Sequence, residues 1–336
     1  MTNRADVLIV GGGPVGLFGA ALASLHGMRV KIVEALPRLG GQLTAVYPEK
    51  KIYDVAGFRG VRAQDFAETL IAQALDYEPE IVTNEMVERV EQEDEDTFSV
   101  VTNRGRHLTR TVLLTVGIGS FSPRPIPAAG ADRFLDRGVY YFMPFLDRFR
   151  GRRVAVVGGG DSAVDWAIAL SQVAGRVYLI HRRKEFRAQS HSVQQLHRLA
   201  NVEVMVPVEV RRIEGDEWIR QLSIEWTEYE RHETLSIDAL VSGLGFVPKL
   251  GPLKSWPLEW DGVRIRVQPN TMETSIPRIF AAGDVVSYPG KVFLIVAGFG
   301  EIGIAVARIR QVLNPKLSSH LPHSSNMDLT KPPVLW

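Results

Sequence analysis

Residues 7–16 read VLIVGGGPVG, an apolar run that breaks on Gly11, Gly12 and Gly13 and meets a fourth glycine at Gly16. A short β-branched-rich run suits a strand buried on both faces of a parallel sheet. The glycines fit the pattern G-x-G-x-x-G, with Pro14 and Val15 in its variable positions. Glycines here let backbone N–H groups approach a pyrophosphate, whose charge sits at the positive end of the following helix. That helix is expected over 17–26 and a second strand over 29–33, closing on Glu34. Glu34 falls about 20 residues beyond the turn, where an acid accepts hydrogen bonds from an adenosine ribose. Any one of these signals is common. Their arrival in order describes a nucleotide-binding unit.

The pattern repeats from Arg153. The strand 153–157 (RVAVV) leads into Gly158, Gly159 and Gly160, then Asp161, Ser162 and Ala163, which completes G-x-G-x-x-A. A helix is expected over 162–173 and a strand over 176–180, ending at His181 in the place that Glu34 holds in the first unit. The chemistry at that place is reversed, because His181 is followed by Arg182, Arg183, Lys184 and Arg187. An acid selects a bare ribose, whereas clustered guanidinium groups bind a 2′-phosphate. The first unit therefore suits FAD or NAD, and the second suits NADP.

Length allows about two domains for 336 residues. A formal net charge of +1 gives no reason to expect nucleic acid or an anionic membrane as partner. The chain has no cysteine, which removes thiolate metal sites, iron–sulfur ligation and any internal dithiol. No metal site is expected. The polar N-terminus and short first apolar run do not resemble a signal peptide, and no run approaches the roughly 20 apolar residues of a membrane span, so a cytoplasmic protein is expected.

Two Gly- and Pro-rich stretches, 117–127 and 243–252, read as crossings between domains. They imply an α/β fold of two Rossmann-like, three-layer ββα nucleotide-binding domains, the second inserted into the first. The FAD-binding domain is expected at 1–117 and 245–336, and the NADP-binding domain at 118–244. Near the end of the chain a short apolar strand delivers Gly283 and Asp284, ahead of a helix expected over 297–313. An aspartate there can bind a polyol such as a flavin ribityl chain, or simply cap a turn. By composition the chain beyond 314 is a loose tail. The acidic stretch 91–96 reads as a solvated hairpin tip, and His26, His107 and His197 as isolated residues without a function. Arg148 to Arg153, with Arg211 and Arg212, read as a solvated surface that could form part of a basic docking face.

The residues GGQL (40–43), YPEKKIYDVAGF (47–58), AAGD (281–284), GGGDSAVD (158–165), HRRKEFR (181–187) and PHSS (322–325) resemble the thioredoxin-reductase-like flavoproteins. Within that group the resemblance is to the bacterial ferredoxin–NADP⁺ reductases, over nearly the whole chain. It implies FAD and NADP(H) as cofactors, ferredoxin or flavodoxin as partner, and a homodimer. It also implies that Glu34, Gln42, Val87, Phe121 and Asp284 contact FAD and that Tyr47 stacks on one face of its isoalloxazine ring. His323 and Ser325 would cover the other face, from a tail supplied by the neighbouring subunit. Gly158, Gly160, Asp161, Ser162, Ala163, His181, Arg182, Arg183 and Arg187 would hold NADP. Thioredoxin reductases carry Cys-x-x-Cys shortly before the second glycine loop, and here residues 138–145 read GVYYFMPF. Electrons must then pass to an external acceptor. A diaphorase or oxidase using quinone or oxygen is the alternative, and a non-catalytic redox sensor a remote one.

Overall fold

The protein, seen in a computed structural model, is described over residues 4–141, 146–229, 231–318 and 320–327, the side chains of 120–122 and 246–249 excepted. It divides into two compact units, one of residues 1–44, 51–120 and 248–336, the other of 45–50 and 121–247.

In the first unit five strands run parallel in the order Glu80–Val82, Val30–Val33, Arg4–Val10, Arg106–Leu114, Ile279–Ala281. Arg4–Val10 lies at the centre, and its residues from Ala5 to Val10 are all buried, which is why they are apolar but for Asp6. Asp6 meets that burial by accepting two guanidinium bonds from Arg29, at 3.0 and 3.1 Å, and one from its backbone N–H. The strand Arg106–Leu114 has two neighbours on one side. Its first half pairs antiparallel with Thr97–Thr102, which pairs in turn with Val87–Asp94, while its last residues pair with Ile279–Ala281. The acidic residues 91–96 form the exposed end of that hairpin.

Helix Pro14–Leu25 packs against helices Ala63–Leu75 and Ile295–Leu313. Its buried face is small, built from Gly16, Gly19, Ala20, Ala21 and Ala23. A Cβ on Gly19 would come within 3.2 Å of Ile302 Cδ1, so the bare glycine lets that side chain rest on the helix backbone. Both helices start earlier than the sequence suggests, at Pro14 and at Ile295. Proline lacks the N–H that a first-turn residue has no partner for, so it opens a helix without loss.

The second unit has a five-stranded parallel sheet in the order Val139–Tyr140, Ala239–Ser242, Arg153–Val157, Arg176–Ile180, Val202–Met205. Alternation along one strand sorts its two faces. Val154 and Val156 pack with Val164, Ala167 and Leu170 of helix Asp161–Ser171. Ala155 and Val157 pack with Ile213, Leu222 and Ile224 of an antiparallel meander, Val208–Gly215, Ile219–Trp226 and Arg231–Ser236. Meander, sheet and helix make the three-layer ββα unit expected from the sequence. The two connecting segments, Ser120–Pro123 and Phe246–Lys249, form a two-stranded sheet. No helix among the described residues is long and apolar enough to cross a membrane.

Phe280 is fully buried in the short strand Ile279–Ala281, the last to join the first sheet. Phe280→Ala is expected to lose about 3–5 kcal/mol. In guanidinium unfolding the midpoint should fall at unchanged slope.

Candidate functional site

Backbone, not side chain, shapes the first loop. Gly11 has φ +105, and a Cβ there would stand 2.7 Å from the carbonyl oxygen of Thr115. A Cβ on Gly16 would stand 2.0 Å from the carbonyl oxygen of Gly11 and 2.7 Å from Thr115 Oγ1. That hydroxyl donates to the Gly11 carbonyl at 2.8 Å, pinning the end of strand Arg106–Leu114 under the turn. Gly13 begins helix Pro14–Leu25 with no side-chain cap. Its first-turn N–H groups are therefore available to an anion at the positive helix end.

Glu34 is 7% exposed and accepts from Gly12 N–H at 2.6 Å and Leu36 N–H at 2.8 Å. Burial pushes its carboxyl above the ordinary value, against the downward pull of N–H bonds from Leu36, Gly12 and Ala35. A carboxylate has about four acceptor positions, so capacity remains for a ribose hydroxyl. The Glu85 N–H donates to the Glu34 carbonyl at 3.0 Å, which brings the half-buried Val87 to the same end. The Gly40 N–H donates to the Gly12 carbonyl at 2.8 Å, and Gln42 opens the single-turn helix Gln42–Ala45 beside it.

Gly283, the residue before Asp284, packs against the loop at Val15. Gly283 lies at φ +85, and Cβ atoms placed on Gly283 and Gly298 would stand 3.3 and 2.6 Å from Val15 Cγ2. The first unit thus gathers Gly11 to Gly16, Glu34, Gln42, Val87 and Asp284 at the carboxyl ends of its parallel strands, where open α/β sheets bind ligands.

The second loop has the same backbone and a different side-chain set. A Cβ on Gly158 (φ +153) would stand 2.3 Å from the carbonyl oxygen of Gly243, and one on Gly160 would meet nothing within 4 Å. Helix Asp161–Ser171 starts there without a side-chain cap, and Ser162 and Ala163 lie in its first turn. The segment after His181 folds back onto the loop. The Arg187 N–H donates to the Gly159 carbonyl at 2.7 Å, and the Gln189 N–H to Asp161 Oδ1 at 2.9 Å. The His181 ring covers Gly159, stacks on Phe186 at 5.5 Å and buries an Nε2 that has no hydrogen-bond partner among the described residues. Burial holds its imidazole below the usual value, and Arg182, Arg183 and Arg187 add to that. Lys184 is paired with Glu228 at 2.7 Å, while Arg182, Arg183 and Arg187 are exposed and, among the described residues, face no carboxylate.

Tyr47 is half-buried in the segment 45–50, which clusters with the second unit. The Phe121 side chain lies outside the described residues. His323 precedes the turn Ser324–Asn326, and both it and Ser325 are exposed on this chain. His107, expected to be isolated, instead bonds Glu85 at 2.8 Å and sits 3.4 Å from Lys31, itself buried and paired with Glu80. Long-range pairing across the sheet made those contacts, and no spacing in the sequence carries it. Within the basic stretches Arg150 pairs with Asp147, Arg153 with Asp238, and Arg211 with Glu209 and Glu225.

Sequence reasoning missed Glu301. It is 3% exposed in the apolar helix Ile295–Leu313 and accepts from Gly283 N–H and Tyr288 Oη, each at 2.7 Å. The buried ammonium of Lys291 pairs with it. Burial, then the bond to Glu301, pushes the Tyr288 phenol up to about 12. The available signal was a lone acid inside a helical apolar run, IVAGFGEIGIAVA (295–307).

Gly16→Ala should abolish stable FAD retention, read as flavin absorbance per chain, while leaving NADP⁺ affinity within about twofold. In the second loop Ala163 and Gly243 are coupled, since a Cβ on Gly243 would stand 2.6 Å from the Ala163 Cβ. Gly243→Thr is expected to lose about 1–3 kcal/mol. Ala163→Gly in the same chain should recover part of it, a coupling readable in a double-mutant cycle of urea midpoints.

The model of the family described as "Pyridine nucleotide-disulphide oxidoreductase" matches residues 8–283. A protein of Bacillus subtilis named ferredoxin–NADP reductase 2 is 44% identical over 326 residues, covering 97% of this chain and 98% of its own. One of Thermus thermophilus named ferredoxin–NADP reductase is 45% identical over 327 residues, covering 96% and 97%. Among solved structures, Lactococcus lactis thioredoxin reductase in the FR conformation superposes with TM-score 0.72 at 22% identity, covering 92% of this chain and 99% of that one. The T. acidophilum thioredoxin reductase gives 0.72 at 24% identity, covering 91% and 98%. These two establish the fold alone. Two glycine loops on two ββα units, with the full-length matches, show that the chain belongs to the pyridine nucleotide-disulphide oxidoreductase family.

Proposed function

We propose that this chain is an FAD-dependent ferredoxin–NADP⁺ reductase. The observation that carries the reading is the reversal at the second-strand ends: a buried carboxylate at Glu34, and exposed guanidinium groups at Arg182, Arg183 and Arg187 that face no carboxylate among the described residues. The first unit is then the FAD-binding domain and the second the NADP-binding domain. The full-length relatives named ferredoxin–NADP reductase support ferredoxin, or a flavodoxin, as the partner.

The residues present fit both groups. Gly11 to Gly16 present uncapped helix N–H groups to the FAD pyrophosphate, Glu34 accepts from its ribose, and Asp284 holds the ribityl chain. Gln42 and Val87 contact the same cofactor, and Tyr47 stacks on its ring. Gly158, Gly160, Ser162 and Ala163 place the NADP pyrophosphate. His181, neutral at physiological pH by its burial, leaves the phosphate charge to the arginines. Bound FAD supplies the ability to take a hydride and to release electrons singly. No side chain needs to act as acid or base in that step. With no cysteine in the chain, electrons leave to an external acceptor. The protein is a cytoplasmic homodimer in which His323 and Ser325 cover the flavin of the neighbouring subunit.

NADPH, with ferredoxin present, should reduce cytochrome c far faster than NADPH alone. Flavin reduction without any gain from ferredoxin would assign the chain to the diaphorases or oxidases instead. Arg182→Ala with Arg183→Ala should raise KM for NADPH about tenfold or more, given the worth of charge-assisted hydrogen bonds. The KM for NADH should stay within about twofold.

A further inference from the structure

Three groups of the stretch 283–291 converge on one carboxylate. Glu301 Oε2 accepts from the backbone N–H of Gly283 at 2.7 Å. Its Oε1 accepts from Tyr288 Oη at 2.7 Å and from the Lys291 ammonium. Glu301 and Lys291 expose 3% and 4% of their side chains, so the pair is desolvated on both sides. Lys291 also lies 5.8 Å from the Tyr288 ring and 5.6 Å from that of Phe293.

What the carboxylate holds is specific. Gly283 is the residue before Asp284, and its φ of +85 turns its N–H toward the helix. It rests on Val15 of the first glycine loop, and Gly298, one turn ahead of Glu301, meets the same Val15 methyl. Glu301 therefore ties the turn that carries Asp284 to the helix whose start flanks that loop. Stability alone does not account for an ion pair here. Replacing a buried pair by apolar side chains of similar size is often neutral or stabilising, and this helix is otherwise apolar at its buried positions.

We propose that Glu301 is a positioning residue for FAD. By accepting the Gly283 N–H it fixes Asp284 relative to the Gly11–Gly16 loop, so that the ribityl and pyrophosphate contacts are made together. Lys291 and Tyr288 hold the carboxylate oriented. The proposal rests on the first unit being the FAD site.

Two double variants test it, both removing the buried charges together. Glu301→Leu with Lys291→Met removes the acceptor for Gly283, whereas Glu301→Gln with Lys291→Met keeps one. Each apo-protein is titrated with FAD, with flavin fluorescence and visible circular dichroism as readouts. The leucine variant should bind FAD at least tenfold more weakly and show an altered flavin dichroism band. The glutamine variant should stay within about threefold of wild type, and NADP⁺ affinity should be unchanged in both. Equal FAD affinity in the two variants overturns the proposal, whether both match wild type or both fall together. A wild-type chain that binds no FAD overturns the site reading itself. Amide exchange on the wild-type protein is a check that needs no variant to fold: slow exchange at Gly283 is expected, and fast exchange refutes the tether.

Discussion

Both units depend on how closely a helix can begin behind the end of a buried strand. At that point three backbones meet: the glycine turn, the first helical turn, and the strand end on the far side of the sheet. There is room for one side chain among them, and the two units use it differently. In the first, Thr115 occupies the space, and Gly16 must lack a Cβ because one would stand 2.7 Å from the threonine hydroxyl. In the second, Ala163 occupies it, and Gly243 must be bare because a Cβ would stand 2.6 Å from that of Ala163. Thr115 and Gly243 hold matching places, each donating its N–H to the last residue of the central strand, Val10 and Val157. The final letter of the motif, glycine or alanine, therefore records which partner strand supplies the bulk.

Electrostatics then separates two sites that backbone geometry makes alike. Glu34 ends its strand with a buried carboxyl raised by desolvation and already bonded to two backbone N–H groups. A neutral polyol suits such a group, and a phosphate does not. His181 ends the matching strand as a neutral ring, with the fixed charges one residue and more beyond it. Other basic side chains of the second unit are held by acids, as Arg153 is by Asp238 and Arg176 by Glu203, and within the loop Lys184 is held by Glu228. A net charge near zero conceals this arrangement, because the loop gathers three exposed guanidinium groups that, among the described residues, face no carboxylate.

The nucleotide units were legible because each is local: strand, turn, helix and second strand follow one another within a short span. The layers were legible for the same reason, since alternation in Arg153–Val157 sorts its neighbours face by face. Helix starts at Pro14 and Ile295 were not, because a proline and a β-branched run resemble loop and strand until the packing around them is seen. Glu301 and the Lys31–His107–Glu85 contacts were hidden for a different reason. Their partners come from distant segments, and a buried charge can be recognised from sequence only by its misfit with its neighbours.

The segment before the second glycine loop bears on where electrons go. Strand Val139–Tyr140 is the edge of the parallel sheet, paired with Ala239–Ser242. Tyr140 is buried edge-on against Phe149 at 5.6 Å, with Arg148 over its ring at 5.4 Å. The Tyr141 hydroxyl accepts the Ile126 N–H at 3.1 Å. Aromatic packing thus occupies 139–141, in the region where the resembled thioredoxin reductases carry a redox dithiol. A shared fold does not transmit a shared reaction, because chemistry lives in the groups placed on it. The scaffold here keeps both nucleotide loops and lacks any sulfur relay, so a reduced flavin on this chain has only an outside acceptor to serve.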